Sequence, residues 1–205
     1  MLRASIVYGP QLNVWRLYPL CSNPLAGSCR LLCSNTPSYS LPVTAMNDTD
    51  AAALKQLINS QPVAALATLH TEACGQEPAV SMVPFAVMPS GQLVIHISTL
   101  ASHTRDLNLT PSAALLVCAP LDTAHTPLAL PRASIQGIAT ACPQAAANYG
   151  PARDAYLARF AEAEDLFSFS DFSLYVITPS FVRYVAGFGR AMSIGAERFA
   201  GLFSE

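Results

Sequence analysis

The sequence has 205 residues, of which 52% are hydrophobic and 12% charged, and its formal net charge is −2. This length is enough for one domain with a sizeable core, and the weak charge gives no reason to expect a nucleic-acid partner. Soluble domains carry about 25% charged residues, so the chain either spans a membrane or buries extra surface against a partner. Its longest apolar stretches, 113–120 and 93–97, are far shorter than the roughly 20 residues of a membrane helix. We therefore expect no membrane span and a homo-oligomer.

Residues 1–45 are rich in Ser, Pro, Leu and Cys, contain no acidic residue and show neither helical nor strand periodicity. We expect a disordered or non-native extension here, with the folded domain at 46–205. A transit peptide would also be rich in Arg and Ser and poor in acids, whereas prolines and an arginine interrupt the apolar region of a secretory signal. The interpretation we favour is a start codon placed too early, with translation from Met46. It predicts a cytoplasmic protein, and a genuine transit peptide would predict an organelle.

The predicted elements are mostly strands. A helix at 50–59, capped by Asp48 or Thr49, is followed by strands at 63–69, 79–88 and 92–98. A loop and short helix at 99–110 precede two strands separated by a proline-rich loop, at 113–118 and 133–141. A helix at 149–164 leads to strands at 171–178 and 181–186 and an irregular or weakly helical tail. Three successive strands favour a mainly β fold, an antiparallel barrel with peripheral helices, over a parallel α/β sheet.

The segment from Ser98 to Arg105 combines hydroxyls, an imidazole and a guanidinium at a predicted strand-to-helix junction. Phosphate recognition needs converging donors of this kind, including the backbone N–H groups at a helix start. The segment therefore predicts an anion site. The alternative is an ordinary polar loop in which Ser102 or Thr104 caps the helix.

The sequence predicts no metal site, because the six cysteines form no C-x-x-C pair and no His stands at metal spacing. This cysteine usage fits a reducing compartment better than a disulfide framework. Of the histidines, we expect His70 and His125 at the surface and a structural role for His96.

Several segments carry a family resemblance through their order and spacing. They are Pro62-Val-Ala-Ala-Leu-Ala-Thr68, Val80-Ser-Met-Val-Pro-Phe85, Gly91 to His96, Leu100-Ala-Ser-His-Thr-Arg-Asp-Leu107, Pro131-Arg-Ala-Ser-Ile-Gln-Gly137, Asp171-Phe-Ser-Leu-Tyr175 and Phe181-Val-Arg-Tyr-Val-Ala-Gly-Phe-Gly-Arg-Ala191. Through them, residues 62–190 resemble the pyridoxamine 5′-phosphate oxidase-like superfamily of FMN-binding split β-barrels. The likeness is closest to its haem-utilisation (HugZ-type) branch.

The resemblance implies roles for particular residues. The FMN phosphate would be held by Ser98, Thr99, Ser102, His103, Thr104 and Arg105. Ser81 would lie beside the isoalloxazine, and Arg132 would reach the flavin from the second protomer. The far side of the pocket would be shaped by Arg183, Gly187, Phe188 and Gly189. The pyridoxamine phosphate oxidases have an Arg-Lys pair at the position of His103-Thr104, so the positive charge at the expected phosphate site is weaker in this sequence.

Three functions remain open at this point. The first is an FMN-dependent oxidoreductase of unknown substrate, a homodimer with flavin at its interface. The second is a haem-binding or haem-degrading protein on the same barrel. In that branch the resemblance implies an axial His from a C-terminal loop, and the absence of any His after His125 counts against it. The third is a flavin-binding module without catalysis.

Overall fold

The computed structural model describes residues 46–72, 75–123 and 126–204. The predicted extension at 1–45 lies outside the described residues, as does His125.

The described chain contains eight strands and four α-helices in the order α1-β1-β2-β3-β4-α2-β5-β6-α3-β7-β8-α4. The strands are β1 (Val63–Glu72), β2 (Gly75–Pro84), β3 (Ala86–Val87), β4 (Leu93–Ser98), β5 (Ser112–Cys118), β6 (Arg132–Cys142), β7 (Phe172–Gly187) and β8 (Arg190–Gly195). The α-helices are α1 (Asp48–Ser60), α2 (Ser102–Leu109), α3 (Tyr149–Arg159) and α4 (Ala196–Gly201). Three 3₁₀ segments lie at Leu121–Thr123, Pro127–Ala129 and Ala161–Ser168.

All eight strands form one antiparallel sheet in the order β2-β1-β5-β6-β7-β4-β3, and β8 pairs with β7. The predicted mainly β, antiparallel architecture with peripheral helices is confirmed. Among the described helices, none is both long and apolar enough to cross a membrane.

Strand β4 separates two apolar cores, because successive side chains of a strand point to opposite faces. Leu93, Ile95 and Ile97 face the main core inside the curved sheet. Val94 faces a second core beneath α3. The strand is buried on both sides, so its run of apolar residues shows no alternation in the sequence.

Two predicted boundaries were wrong for local reasons. The strands at 171–178 and 181–186 are one strand, β7, whose partner β6 shifts register between Gln136 and Gly137. Pro179 lies at this irregularity, where a missing N–H does not break the ladder. At the N-terminus the helix cap is Asn47, whose side chain accepts a hydrogen bond from the N–H of Asp50 at 2.8 Å, and not Asp48 or Thr49.

The tail predicted to be irregular or weakly helical forms β8 and α4. Helix α4 packs against the turn before β4, where Gly91 has a φ of +77° and lies against Ala200. A Cβ built on Gly91 would stand 2.5 Å from the Cα of Ala200. The turn and α4 therefore fit together only with glycine at this position.

Candidate functional site

All the predicted site residues except Ser81 fall into two groups in the structure. We name the first the α2 group, and it lies where β4 ends and α2 begins: Ser98, Thr99, Ser102, His103, Thr104 and Arg105. Helix α2 packs against β1 and also contacts β2, the strand of Ser81. Ser81 pairs with Leu66 and is half-buried on the same face of the sheet as that core residue.

Two hydroxyls of the α2 group already make internal hydrogen bonds. Ser98 Oγ donates to Asp171 Oδ2 at 3.1 Å and accepts from the N–H of Leu100 at 3.2 Å. The buried Thr104 donates to the carbonyl oxygen of Ser98 at 2.6 Å. These two side chains fix the strand-to-helix junction, which leaves the exposed Thr99 and Ser102 as the hydroxyls open to a ligand.

His103 is half-buried in the first turn of α2, and its Nε2 atom has no hydrogen-bond partner among the described residues. Burial lowers the pKa of His103, with a smaller opposing effect from the Asp106 carboxylate. This histidine is therefore neutral at neutral pH. Arg105, which is exposed, is the cation of the α2 group.

A polar network that sequence reasoning missed lies beneath the α2 group. The buried carboxylate of Asp106 accepts a hydrogen bond from Thr68 Oγ1 at 3.0 Å and lies 2.8 Å from Nδ1 of His70. The other ring nitrogen of His70 lies 2.9 Å from Glu72 Oε1. Hydrogen bonds to Asp106 and Glu72 raise the pKa of His70. Instead of being a free surface residue, His70 attaches β1 to α2.

The second group lines a cavity of about 430 Å³ between the start of β6 and the β7–β8 turn. We name it the β6–β7 cavity, and its predicted residues are Arg132, Arg183, Gly187, Phe188 and Gly189. Gly187 and Gly189 have φ values of +156° and +73°, which favour glycine. The turn they form carries Phe188 with 77% of its surface exposed.

The two arginines of the cavity are diagonal neighbours across β6 and β7. Arg132 pairs with Val185, and Ser134 pairs with Arg183, which separates the two arginine backbones by roughly 7–8 Å. Arg132 donates to the carbonyl oxygens of Leu130 and Leu128 at 3.1 and 3.4 Å.

The cavity combines positive charge with apolar walls. Within the described part of the chain, no carboxylate pairs with Arg132 or Arg183 and none lines the cavity. Leu116, Leu128 and Val185 supply apolar surface. A flat, largely apolar molecule that carries negative groups matches this arrangement.

The two groups lie on opposite faces of the sheet. Thr68, which binds α2 through Asp106, belongs to the buried face of β1. Arg183 belongs to the other face, in a cross-strand row with Met82, Ala65, Leu116 and Ser134. We call this second face the outer face. One copy of the chain therefore does not bring all the predicted site residues together.

Residues 51–186 match the sequence profile of the pyridoxamine 5′-phosphate oxidase family. The chain belongs to this family. The sheet and its structural neighbours confirm the split-barrel fold predicted from the sequence.

The similar proteins include members named for haem. The chain is 34% identical over 123 residues to the chloroplastic non-canonical haem oxygenase HOZ of Arabidopsis thaliana, covering 60% of this chain and 36% of that protein. A haem-binding protein from Mycobacterium smegmatis has 32% identity and a TM-score of 0.66, covering 78% of this chain and 62% of that one. The haem storage protein HutZ of Vibrio cholerae has 25% identity and a TM-score of 0.55, covering 63% of this chain and 89% of that one.

These matches confirm the predicted resemblance to the haem-utilisation branch. The chain spans about a third of the length of the Arabidopsis relative and less than two thirds of the mycobacterial one.

Proposed function

We propose that this chain binds haem in the β6–β7 cavity. The observation that carries the proposal is the pair Arg132 and Arg183, two cations without carboxylate partners in the described structure, in a cavity that also has apolar walls. Two relatives at 30% identity or more are named as a haem-binding protein and a haem oxygenase. Their names favour haem over other flat anionic ligands.

The cavity residues fit the periphery of a haem. Arg132 and Arg183 would bind its two propionates, because guanidinium groups form strong charge-assisted hydrogen bonds with carboxylates. Leu116, Val185 and Phe188 would contact the apolar macrocycle. The described lining contains no His, Cys, Met or Tyr, so an axial ligand would come from outside this lining.

When bound, haem supplies one-electron and oxygen chemistry. The residues of this chain would position it: the arginines fix the propionate edge, and the apolar walls exclude water from the ring. The proposed reaction class is oxidoreduction.

We also propose that the outer face is covered by a second copy of the chain. Five apolar side chains on this face are between 41% and 72% exposed: Val80, Met82, Leu116, Ile138 and Phe181. Stable homodimers bury apolar faces of this kind. In such a homodimer, the β6–β7 cavity would lie at the interface, because Arg183 belongs to the outer face.

FMN is the second candidate ligand, and the α2 group favours it. Thr99 and Ser102 are exposed at the start of α2 beside Arg105, where hydroxyls, backbone N–H groups and a cation can hold a phosphate. FMN also needs no axial ligand. If FMN binds here, Arg105→Ala should weaken FMN binding by about 10- to 100-fold, since a charge-assisted hydrogen bond contributes about 1.5–3 kcal/mol. Riboflavin, which lacks the phosphate, should bind equally to both proteins.

Absorption spectra distinguish the two cofactors. The protein is titrated separately with haem and FMN, and its spectrum as purified is recorded. Haem binding would shift a band near ~400 nm and flavin binding one near ~450 nm. Saturable haem binding at a stoichiometry near one per chain supports the proposal. If FMN saturates the protein and haem does not, the proposed cofactor is FMN and the haem proposal is wrong.

The chloroplast location in the name of the Arabidopsis relative supports a transit peptide in residues 1–45. We propose organelle targeting on this ground together with the acid-free composition of the stretch. Fusion of residues 1–45 to a fluorescent protein tests this proposal. Fluorescence in an organelle would support targeting, and diffuse cytoplasmic fluorescence would contradict it.

A further inference from the structure

Asp171 stands immediately before β7 and beside the end of β4, at the junction that carries the α2 group. Its carbonyl oxygen accepts a hydrogen bond from the N–H of Thr99 at 2.6 Å. Its carboxylate accepts another from Ser98 Oγ at 3.1 Å. The first hydroxyl of the predicted phosphate-binding segment therefore already donates its proton to a carboxylate.

Ser98 connects this carboxylate to the turn that leads into α2. Its Oγ atom accepts the N–H of Leu100 at 3.2 Å, so a single hydroxyl group separates the carboxylate from the turn. Ala101, the residue that caps α2, makes no side-chain hydrogen bond, and the first N–H groups of a helix attract anions. A phosphate that hydrogen-bonds Ser98 would lie within roughly 5–6 Å of Asp171, because both would contact the same oxygen atom.

No cation compensates the charge of Asp171. Its carboxylate forms no ion pair within the part of the chain that the structure describes. Arg105, the cation of the α2 group, has its Nη2 atom 3.4 Å from Nε2 of His70, and its charge helps to lower the pKa of Asp106. Burial lowers the pKa of His103, which adds no positive charge at neutral pH. A phosphate dianion at this junction would therefore meet an uncompensated negative charge.

We propose that Asp171 sets the cofactor preference of this chain by opposing the phosphate of FMN at the α2 group. Thr99, Ser102 and Arg105 offer donors to a phosphate, and the neighbouring carboxylate repels it. An asparagine oxygen would accept the same hydrogen bond from Ser98 without the charge. The hydrogen bond alone therefore does not require an aspartate, whereas repulsion of an anion does.

This inference rests on the proposed function, since it gives the reason why a flavin-binding fold would hold haem and not FMN. The two arginines proposed for the haem propionates lie in the β6–β7 cavity. That cavity and the α2 group are on opposite faces of the sheet, so the charge of Asp171 does not oppose an anion bound by the arginines.

The test titrates the full chain with FMN and with riboflavin, followed by flavin fluorescence. In the unmodified protein FMN should bind no more tightly than riboflavin. Asp171→Asn should strengthen FMN binding by about tenfold or more, because it removes a like charge roughly 5–6 Å from the phosphate, and riboflavin should bind equally to both proteins. The control Asp154→Asn removes the same charge from an exposed position on α3 and should change neither affinity.

Three results would overturn the inference. FMN that binds the unmodified protein more tightly than riboflavin would show that the phosphate is recognised despite Asp171. Unchanged FMN binding in Asp171→Asn, including no binding to either protein at millimolar concentration, would show that this carboxylate does not exclude it. An equal gain for riboflavin would show that the substitution acts on the flavin ring. Asp171→Ser, a second neutral variant with a hydrogen-bond acceptor, takes its place if Asp171→Asn fails to fold.

A parallel titration with haem separates this inference from the proposed function. Haem should bind the unmodified protein and Asp171→Asn equally. Haem binding without a gain in FMN affinity would overturn the role of Asp171 alone. A gain in FMN affinity without haem binding would support the role of Asp171 and overturn the haem proposal.

Discussion

The buried carboxylate of Asp106 lies 2.8 Å from Nδ1 of His70 and joins helix α2 to strand β1 across 36 residues of sequence. A carboxylate removed from water requires such partners, since burial alone would favour its protonated form. Hydrogen bonds from His70 and Thr68 outweigh desolvation, so the pKa of Asp106 is lowered. The α2 group is therefore held in place by the hydrogen bonds of Asp106 with Thr68 and His70 of β1.

The pKa of His70 should lie above its ordinary value of 6.5. NMR titration of the histidine ring resonances measures it. Asp106→Asn should move it back down, because the amide carries no negative charge. A His70 that titrates at its ordinary value in the unmodified protein would contradict the contact.

The same pair predicts how stability depends on pH. The stabilisation from His70 is fully present below pH 6.5, the ordinary pKa of a histidine, and is lost as pH rises through the raised pKa of His70. The stabilisation from Asp106 is fully present above pH 3.8, the ordinary pKa of an aspartate, and is lost as pH falls through the lowered pKa of Asp106. The difference in unfolding free energy between the unmodified protein and Asp106→Asn should therefore be largest between these two values. A difference independent of pH would show that the pair is not ionic.

Thr68→Val removes the hydroxyl that donates to Asp106. We expect a loss of about 1.5–3 kcal/mol in unfolding free energy, the contribution of a hydrogen bond to a charged group. Urea denaturation measures it. The matched control is Thr49→Val, at an exposed position in the first turn of α1, which should change stability by less than about 0.5 kcal/mol. If the two substitutions lower the unfolding free energy equally, the hydrogen bond from Thr68 to Asp106 does not stabilise the protein.

Gly91→Ala should destabilise the protein by about 1–3 kcal/mol, because a Cβ here meets the Cα of Ala200 and the backbone has a positive φ. The control is Gly150→Ala in α3, where a Cβ meets nothing within 4 Å and the change should be neutral or stabilising by up to about 1 kcal/mol. Thermal and urea unfolding check both variants. A fully stable Gly91→Ala would mean that α4 does not pack against this turn.

Met82→Glu should convert the proposed homodimer into monomers, since it places a charge on the outer face at a position that is 65% exposed in one copy. Light scattering at micromolar concentration reports the mass. Leu109→Glu, at the end of α2 and 61% exposed, is the matched control and should remain a dimer. A monomeric unmodified protein would contradict the proposal directly.

Local sequence signals predicted much of this fold. Apolar runs and turn residues located most strands, and the hydroxyl-rich segment after Ser98 marked the start of α2. The signals failed where distant residues decide the structure. Thr68 and Asp106 are 38 residues apart, and no local pattern indicates that they meet. Strand β8 and helix α4 are six residues long each, which is too short for a clear hydrophobic period. They form because β8 pairs with β7 and α4 packs against the turn at Gly91.

The candidate site was predicted in pieces. The sequence selected Arg132 and Arg183 through family resemblance, and the structure brings them into one cavity. The internal bonds of Ser98 and Thr104 could not be predicted, because both depend on how the end of β4 meets α2. His96 was assigned to the structure of the core, since periodicity indicates burial but not whether a buried ring finds a partner.

The most direct test of the central claim compares two forms of one ligand. Haem and its dimethyl ester, whose propionates are uncharged, are titrated into the unmodified protein, the double variant Arg132→Ala/Arg183→Ala and the control Arg153→Ala. Two charge-assisted hydrogen bonds contribute about 3–6 kcal/mol together, so haem affinity should fall roughly 100-fold or more in the double variant. The ester should bind equally to all three proteins. Equal losses for haem and ester in the double variant would mean that the arginines maintain the shape of the cavity, and unchanged haem binding would contradict haem recognition by Arg132 and Arg183.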